Sequence, residues 1–303
     1  MNSREDLQAE RVCEYQISTN RKRLWIVELD LLDMFEEACR KLNISYFMVF
    51  GSALGAVRHK GFIPWDDDID LGMLRKDFNI FVEHGKEYFP DYVDIQYGIS
   101  NHGPDILMRI RDGRTTGIIR NERHLEGNKG VFIEIYVYDY VGTGVLADLQ
   151  MKLASLLCGA MYASKKGVKG VIQRGLNKLI SPKKLWAMYT KVCTAGNDKH
   201  HTHVNLVSLP LYGRRTKLFR IEAKDLSSTV TVPFEYTTAR IPVGVDNFLR
   251  TSYGDYMTLP PVEKRGTHHD FLVFYDPGRC YKEYDKSDIP DRYFAGDIDL
   301  ELL

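Results

Sequence analysis

An excess of charge of either sign is what this chain lacks: 41 basic side chains balance 41 acidic ones over 303 residues. No global field therefore points to nucleic acid, and any electrostatic function must be local. Cysteine is scarce as well. The five residues Cys13, Cys39, Cys158, Cys193 and Cys280 are odd in number, widely scattered and free of CxxC spacing, which argues against a disulfide framework and a structural zinc site. A reducing, cytoplasmic setting is the expectation. No run reaches the ~18 apolar residues a membrane span needs, and the opening MNSREDLQAERVCEY has no apolar signal core, so neither secretion nor a transmembrane segment is expected. Repeats and low-complexity tracts are absent too. The most localised deficit runs from Leu149 to Asn197, where there is no Asp or Glu and nine Lys or Arg.

Against these absences, 44% of the residues are hydrophobic, enough to bury a sizeable core. Leu24, Val27, Leu31, Phe35, Ala38 and Leu42 recur at three- or four-residue intervals and predict an amphipathic helix ending near Asn43. Tyr46 to Phe50 reads as a short buried strand, Gly51-Ser52 as a turn with Ser52 as helix N-cap, and Ala53 to His59 as a short helix. Further strands are expected at Ile69 to Met73, Val93 to Ile99, Ile106 to Arg111, Thr116 to Arg120 and Val131 to Tyr138, with a helix over Leu74 to Phe89. The acid-free stretch reads as helical, interrupted at Gly167, Gly170 and Pro182; strands at Thr229 to Val232 and Arg240 to Val245 and a helix at Asp246 to Tyr253 follow. This order predicts an α+β fold, a mixed sheet layered with helices. The expected division is a catalytic core with its N-terminal helix at 1–145, a basic helical insertion at 146–197 and a C-terminal extension at 198–303 that completes the active site.

Four of the five positions from Asp66 to Asp70 are carboxylates, set among the apolar residues Ile63, Trp65, Ile69 and Leu71. Like charges that close repel unless a cation neutralises them. In an extended strand Asp68 and Asp70 share one face and converge on one divalent metal, Asp66 joins them as a lesser ligand if the strand begins early, and Asp67 faces away as an ordinary hydrogen-bond acceptor. Glu134, buried in the run VFIEIYVYDYV, is the expected third carboxylate; Asp139 ranks behind it because it points to the opposite face. The Gly51-Ser52 turn offers backbone N–H groups to a phosphate, with Arg58, His59 and Lys60 just beyond. Metal ligands, a phosphate nest and cations within twenty residues or so are the parts a metal-dependent phosphoryl or nucleotidyl transfer needs.

The segment GSALGAVRHKGFIPWDDDID, residues 51–70, resembles the signature of the LicD family, the cholinephosphotransferases of bacterial surface glycans, whose distant relatives include fukutin-related protein. YGDYMTLPPVEKRGTHH, residues 253–269, resembles the family's C-terminal block, and through it His268 is drawn toward the nucleotide. The resemblance implies a nucleotidyltransferase-like fold in which Gly51 and Ser52 form the small-residue turn, Asp68 and Asp70 the paired metal ligands and Glu134 the third carboxylate, where the family usually has Asp. It further implies that a CDP-linked alcohol such as CDP-choline donates its phospho-alcohol to a hydroxyl of a lipopolysaccharide or capsule glycan, free or lipid-linked, with release of CMP. Mg²⁺, or Mn²⁺, would bridge the diphosphate; Arg58 and Lys60 would neutralise phosphate, and Glu134 would help deprotonate the acceptor.

Rival readings stand beside these. A true nucleotidyltransferase would use the same carboxylates on a nucleoside triphosphate and release pyrophosphate, and a non-catalytic cation-binding protein would turn over neither donor. Lys199-His200-His201-Thr202-His203 is read as a solvated loop because no paired cysteines and no carboxylate beyond Asp198 accompany it. Trp65, Tyr253, Tyr256 and Phe271 are candidate aromatic contacts for a quaternary ammonium group, with core packing the favoured explanation for most of them. The basic segment is either a solvated helical face or a peripheral contact with anionic membrane at its inner side.

Overall fold

The structure is a computed structural model that describes residues 1, 3–100, 103–119, 127–162, 167–209, 220–265 and 272–284. After a small hairpin, β1 (Glu10–Val12) with β2 (Tyr15–Ile17), the chain enters the long helix α1 (Thr19–Leu42). Ser18 caps its start, the side chain accepting the Arg21 N–H at 3.1 Å, and Asn43 ends it in the left-handed conformation (φ 52°). Leu24, Leu31, Phe35 and Ala38, read from the sequence as its apolar stripe, are fully buried.

Next come β3 (Phe47–Met48), α2 (Phe50–Arg58), β4 (Asp70–Leu74) and α3 (Arg75–His84), the last followed by a 3₁₀ turn at Gly85–Tyr88. The strands β5 (Val93–Ser100), β6 (Gly103–Asp112), β7 (Thr116–Ile119) and β8 (Val131–Val141) complete the segment read as the core. Three helices occupy the acid-poor stretch: α4 (Val145–Tyr162), α5 (Gly167–Leu179) and α6 (Pro182–Cys193). Gly170 lies inside α5 and interrupts nothing, whereas Pro182 stands in the first turn of α6, where its missing N–H costs no bond. The remainder contributes β9 (His203–Asn205), β10 (Ile221–Glu222), the hairpin β11 (Thr229–Phe234) with β12 (Thr237–Pro242), α7 (Val245–Tyr253) and β13 (Leu272–Asp276).

The fold is α+β, as the element order implied, and its centre is β8. On one side β8 runs parallel to β4, with Asp70 opposite Glu134 and Leu74 opposite Tyr138; β4 in turn pairs antiparallel with β3. On the other side its first half pairs antiparallel with β6, placing Arg109 opposite Glu134, and its last residues pair with β9. Residues Val131 to Asp139 are all buried, so both faces of this strand are covered and any charge on it lies in the interior. One face packs against α1. At its start, Val131 and Phe132 join Leu24, Ile119 and Leu272 in a small apolar cluster that ties α1 and the β7–β13 pair to the sheet.

Two local expectations are corrected. Ser52 is not an N-cap: α2 begins two residues earlier, with Val49 at the cap, Phe50 at φ 46° and no side-chain cap bond. The regular part of the second strand begins at Asp70, so Asp68 lies in the connecting chain rather than on the pleat.

Candidate active site

Ser52 acts on the strand instead. Its Oγ accepts the Asp70 N–H at 2.8 Å, and the Asp70 carbonyl accepts the Val49 N–H at 3.0 Å. The Glu134 N–H donates to the Ile69 carbonyl at 2.9 Å, which locks the two strands in register just where both acids emerge. Residues paired in register present their side chains to the same face, so Asp70, Glu134 and Arg109 form one row across three strands.

In that row Arg109 Nε donates to Glu134 Oε1 at 2.7 Å and the Tyr136 hydroxyl donates to Glu134 Oε2 at 2.9 Å. Both Glu134 oxygens are thus engaged by protein groups. Asp70 differs: its Oδ1 is buried with no hydrogen-bond partner among the described residues, and burial, then the charges of Glu134 and Asp66, push its carboxyl well above the ordinary range. Asp68 is pushed up in the same way by burial and then by Asp70, Asp66, Asp67 and Glu134 in that order. Asp70 is thus the first among the charges that act on it, even though the two do not share a regular strand.

The approach to these acids is held by α1. The Asp66 carbonyl accepts from Arg21 Nη1 at 3.2 Å and from Trp25 Nε1 at 3.1 Å. Asp67 turns inward as an acceptor: its Oδ2 takes the Leu272 N–H of β13 at 3.2 Å and lies 3.6 Å from Arg21 Nη1. Asp66, Asp67 and Asp68 each bring one carboxylate oxygen to within 4.8 Å of the others. The Asp66 carboxylate also leans on the first turn of α2, where a Cβ on Gly51 would come 2.5 Å from its Oδ2. Gly51 thus admits the carboxylate to the helix N-terminus, where backbone N–H groups and the helix dipole favour an anion. Gly55, one turn on, lets the chain fold back tightly, since a Cβ there would meet the Gly61 carbonyl at 2.4 Å.

Arg58 ends α2, and His59 and Lys60 follow it. Arg58 is half-buried, its Nη1 donating to the Tyr256 carbonyl at 2.6 Å and its Nε to His59 Nδ1 at 3.5 Å. Burial and the adjacent Arg58 lower His59 to a pKa of about 4, so the ring is neutral at pH 7 and serves as an acceptor rather than a cation. Lys60 is exposed, with a left-handed backbone (φ 57°) whose carbonyl accepts the Glu235 N–H. Trp65 is buried between the edges of Tyr15 and His59, with the Arg265 guanidinium 5.6 Å from its ring centroid. Tyr256 is buried and donates its hydroxyl to Asp246 at 2.7 Å, while Tyr253 is exposed. His268 and Phe271 lie outside the described residues.

Asp139 is consumed elsewhere. Arg75 binds it through Nε at 2.8 Å and Nη2 at 2.7 Å, and Asn197 donates to the same carboxylate at 2.6 Å. That buried fork on the far end of β8 accounts for the charge without catalysis. Sequence reasoning passed over Arg109, Tyr136, Arg21, Trp25 and Glu28. Glu28 is fully buried with neither carboxylate oxygen hydrogen-bonded, and burial followed by the charge of Asp67 raises its pKa well above the ordinary value. A signal existed: Arg21 and Glu28 are seven residues apart on the apolar stripe of α1, the one place on a helix where charges are costly.

Residues 43–106 match the family model described as LicD/FKTN/FKRP, nucleotidyltransferase domain. The chain is 28% identical over 256 residues to the lipopolysaccharide cholinephosphotransferase LicD of Haemophilus influenzae, covering 80% of this chain and 94% of that protein. It is 36% identical over 94 residues to an uncharacterised protein of Rickettsia prowazekii, covering 31% of this chain and 33% of that one. The human ribitol 5-phosphate transferase FKRP is 34% identical over 76 residues, 20% of this chain and 15% of that protein. The matched domain runs from the end of α1 through the acidic block into β6.

Proposed function

We propose that this chain, which carries a nucleotidyltransferase domain of the LicD family, is a metal-dependent phosphotransferase. It moves a phospho-alcohol, phosphocholine first among the candidates, from a CDP-linked donor to a hydroxyl of a cell-surface glycan and releases CMP. The bond broken is the bridge between the donor's two phosphates; the bond formed joins the acceptor oxygen to the phosphorus carrying the alcohol. Two of the relatives above are named for the transfer of a phospho-alcohol, and the first of them is aligned over most of both chains.

The observation that carries the reading is the carboxylate cluster. Asp68 and Asp70 share a buried space with Asp66 and Glu134, and Asp70 Oδ1 has no protein hydrogen-bond partner. Buried carboxyls so arranged hold a proton or a cation, and hard oxygen donors suit Mg²⁺ or Mn²⁺. In this reading Asp68 and Asp70 hold the ion with Glu134, and Asp66 is a further ligand. When bound, the ion supplies charge neutralisation at the diphosphate.

The protein's own groups supply the rest. The first turn of α2, opened by Gly51, faces a phosphate with its N–H groups, and Ser52 keeps Asp70 in place. Arg58 is the cation held against the C-terminal block, through the Tyr256 carbonyl, with Lys60 exposed beside it. Arg109 and Tyr136 hold both Glu134 oxygens, so Glu134 orients rather than shuttles protons, and the acceptor proton passes to Asp68, which is partly exposed where Asp66, Asp70 and Glu134 are buried.

The test is a donor screen with Mg²⁺ and with chelator, comparing CDP-choline, CDP-ethanolamine, CDP-glycerol and CDP-ribitol, with CTP as the control. Metal-dependent release of CMP from a CDP-alcohol is the expected result. Pyrophosphate from CTP would replace this reading with nucleotidyl transfer, and metal binding without turnover of any donor would replace it with a cation-binding protein.

A further inference from the structure

The acid-poor helices carry an apolar surface that the site does not use. α4 and α6 pack side by side and leave a groove of about 500 Å³ between them, floored by Leu146, Leu149, Leu153 and Met188. Leu146 is 80% exposed and Leu149 59% exposed, values far above those of a packed leucine. On α6 the positions Lys184, Met188 and Lys191 follow one helical line, with Ala195 just past its end, so lysines alternate with apolar residues that wall the groove. Lys152 stands beside Leu153 on α4, and it and the α6 lysines are exposed.

No acid offsets these cations between Leu149 and Asn197, and the acid just before the stretch, Asp148, lies 3.7 Å from Arg220. Apolar exposure also extends beyond the groove: Val145 at the start of α4 is 83% exposed and Leu179 at the end of α5 is 85% exposed. A single docked peptide helix would cover the groove and leave those tips in water. A continuous apolar layer bounded by negative charge accommodates groove, tips and lysines together. No helix among the described residues is long and apolar enough to cross a membrane, so the contact would lie along the surface.

We propose that the α4–α6 face docks on an anionic lipid surface, with Leu146, Leu149, Leu153 and Met188 in the acyl boundary and Lys184 and Lys191 against lipid phosphates. This goes beyond the transfer reading and does not rest on it, because lipid binding requires no turnover. The test is co-sedimentation of the full chain with sucrose-loaded vesicles of phosphatidylcholine alone or with 30% phosphatidylglycerol (a chosen composition of about one anionic lipid in three), at low and high salt. The expected result is sedimentation with the anionic vesicles only, reversed by salt.

Lys184→Ala with Lys191→Ala should lower the partition coefficient roughly thirtyfold, at about a factor of five per lysine. Leu146→Gln with Leu149→Gln should abolish sedimentation while the thermal melt and CMP release in solution stay at wild-type values, since both side chains are already exposed. Equal binding to neutral vesicles, or no binding to anionic ones, overturns the proposal. So does a concentration-dependent dimer that the leucine variants dissolve, which would make this face a contact between two copies.

Discussion

Asp70 and Glu134 stand opposite one another in the parallel pairing of β4 with β8, and Arg109 stands opposite Glu134 from β6, so one row across the sheet carries two acids and one base. Arg109 is bound to Glu134 at 2.7 Å, while Asp70 Oδ1 is buried with no hydrogen-bond partner among the described residues. A group placed this way serves function at the expense of stability. Asp70→Asn should reduce transfer at least a thousandfold, while the melting temperature of the metal-free protein at pH 8 stays level or rises. The sign follows from linkage: a carboxyl whose folded pKa is raised binds more protons folded than unfolded, so stability falls as pH climbs from the ordinary carboxylate range toward the raised value. Activity assays and paired thermal melts check both halves, and wild-type turnover in the variant would remove Asp70 from the site.

Arg109 has the opposite balance. Arg109→Leu leaves the Glu134 carboxylate buried without its cation, a loss that breaking a buried pair sets at about 3–5 kcal/mol. The double variant Arg109→Leu with Glu134→Leu should recover most of that stability and none of the activity. Urea unfolding of both single variants, Arg109→Leu and Glu134→Leu, and of the double gives the coupling, and additivity of the single losses would show that the pair is not the unit described.

What could be read beforehand, and what could not, divides along periodicity. The α1 stripe, the alternation of the strands and the carboxylate block are local patterns, and of the expected stripe Leu24, Leu31, Phe35 and Ala38 are buried while Val27 and Leu42 are partly so. The row of Asp70, Glu134 and Arg109 depends on which strands become neighbours, and nothing in the spacing of three segments separated by dozens of residues states that. Glu134 hinted at it, since a charge inside VFIEIYVYDYV demanded a partner, yet the sequence could not say that Arg109 would be that partner. Ser52 failed as a cap for a related reason: its hydroxyl is drawn to the Asp70 N–H eighteen residues away, a tertiary bond that outcompetes the local one. His268, assigned from resemblance, falls outside the described residues.

Glu28 allows a pH experiment that does not require an assay. With both oxygens buried and unbonded, its carboxyl is neutral in the folded state above the pH at which it ionises in the unfolded chain. Folding therefore takes up a proton, and stability falls with rising pH until the raised pKa is reached. Glu28→Gln keeps the shape and removes the titration. The variant should match the wild type near pH 4 and gain on it by about 1.4 kcal/mol per pH unit above that, until the wild-type carboxyl ionises. Denaturant unfolding at a series of pH values measures the difference, and parallel curves would mean that Glu28 is ionised in the folded protein and paired by a group not seen in these contacts.

Gly51 separates stability from chemistry at a position with no side chain of its own. A Cβ there would stand 2.5 Å from Asp66 Oδ2, the far end of a side chain that can swing away, and the residue lies within the helical run of α2. Alanine gains up to about 1 kcal/mol over glycine in a helix interior, so Gly51→Ala should leave the melting temperature level or slightly raised. The displaced Asp66 carboxylate then quits the space it shares with Asp67 and Asp68, and the Mg²⁺ concentration for half-maximal transfer should rise about tenfold, the scale of losing a supporting ligand. A Mg²⁺ titration of turnover, with Mn²⁺ binding measured by calorimetry, distinguishes the outcomes. An unchanged metal response in a folded variant would place Asp66 outside the metal site and leave the ion to Asp68, Asp70 and Glu134.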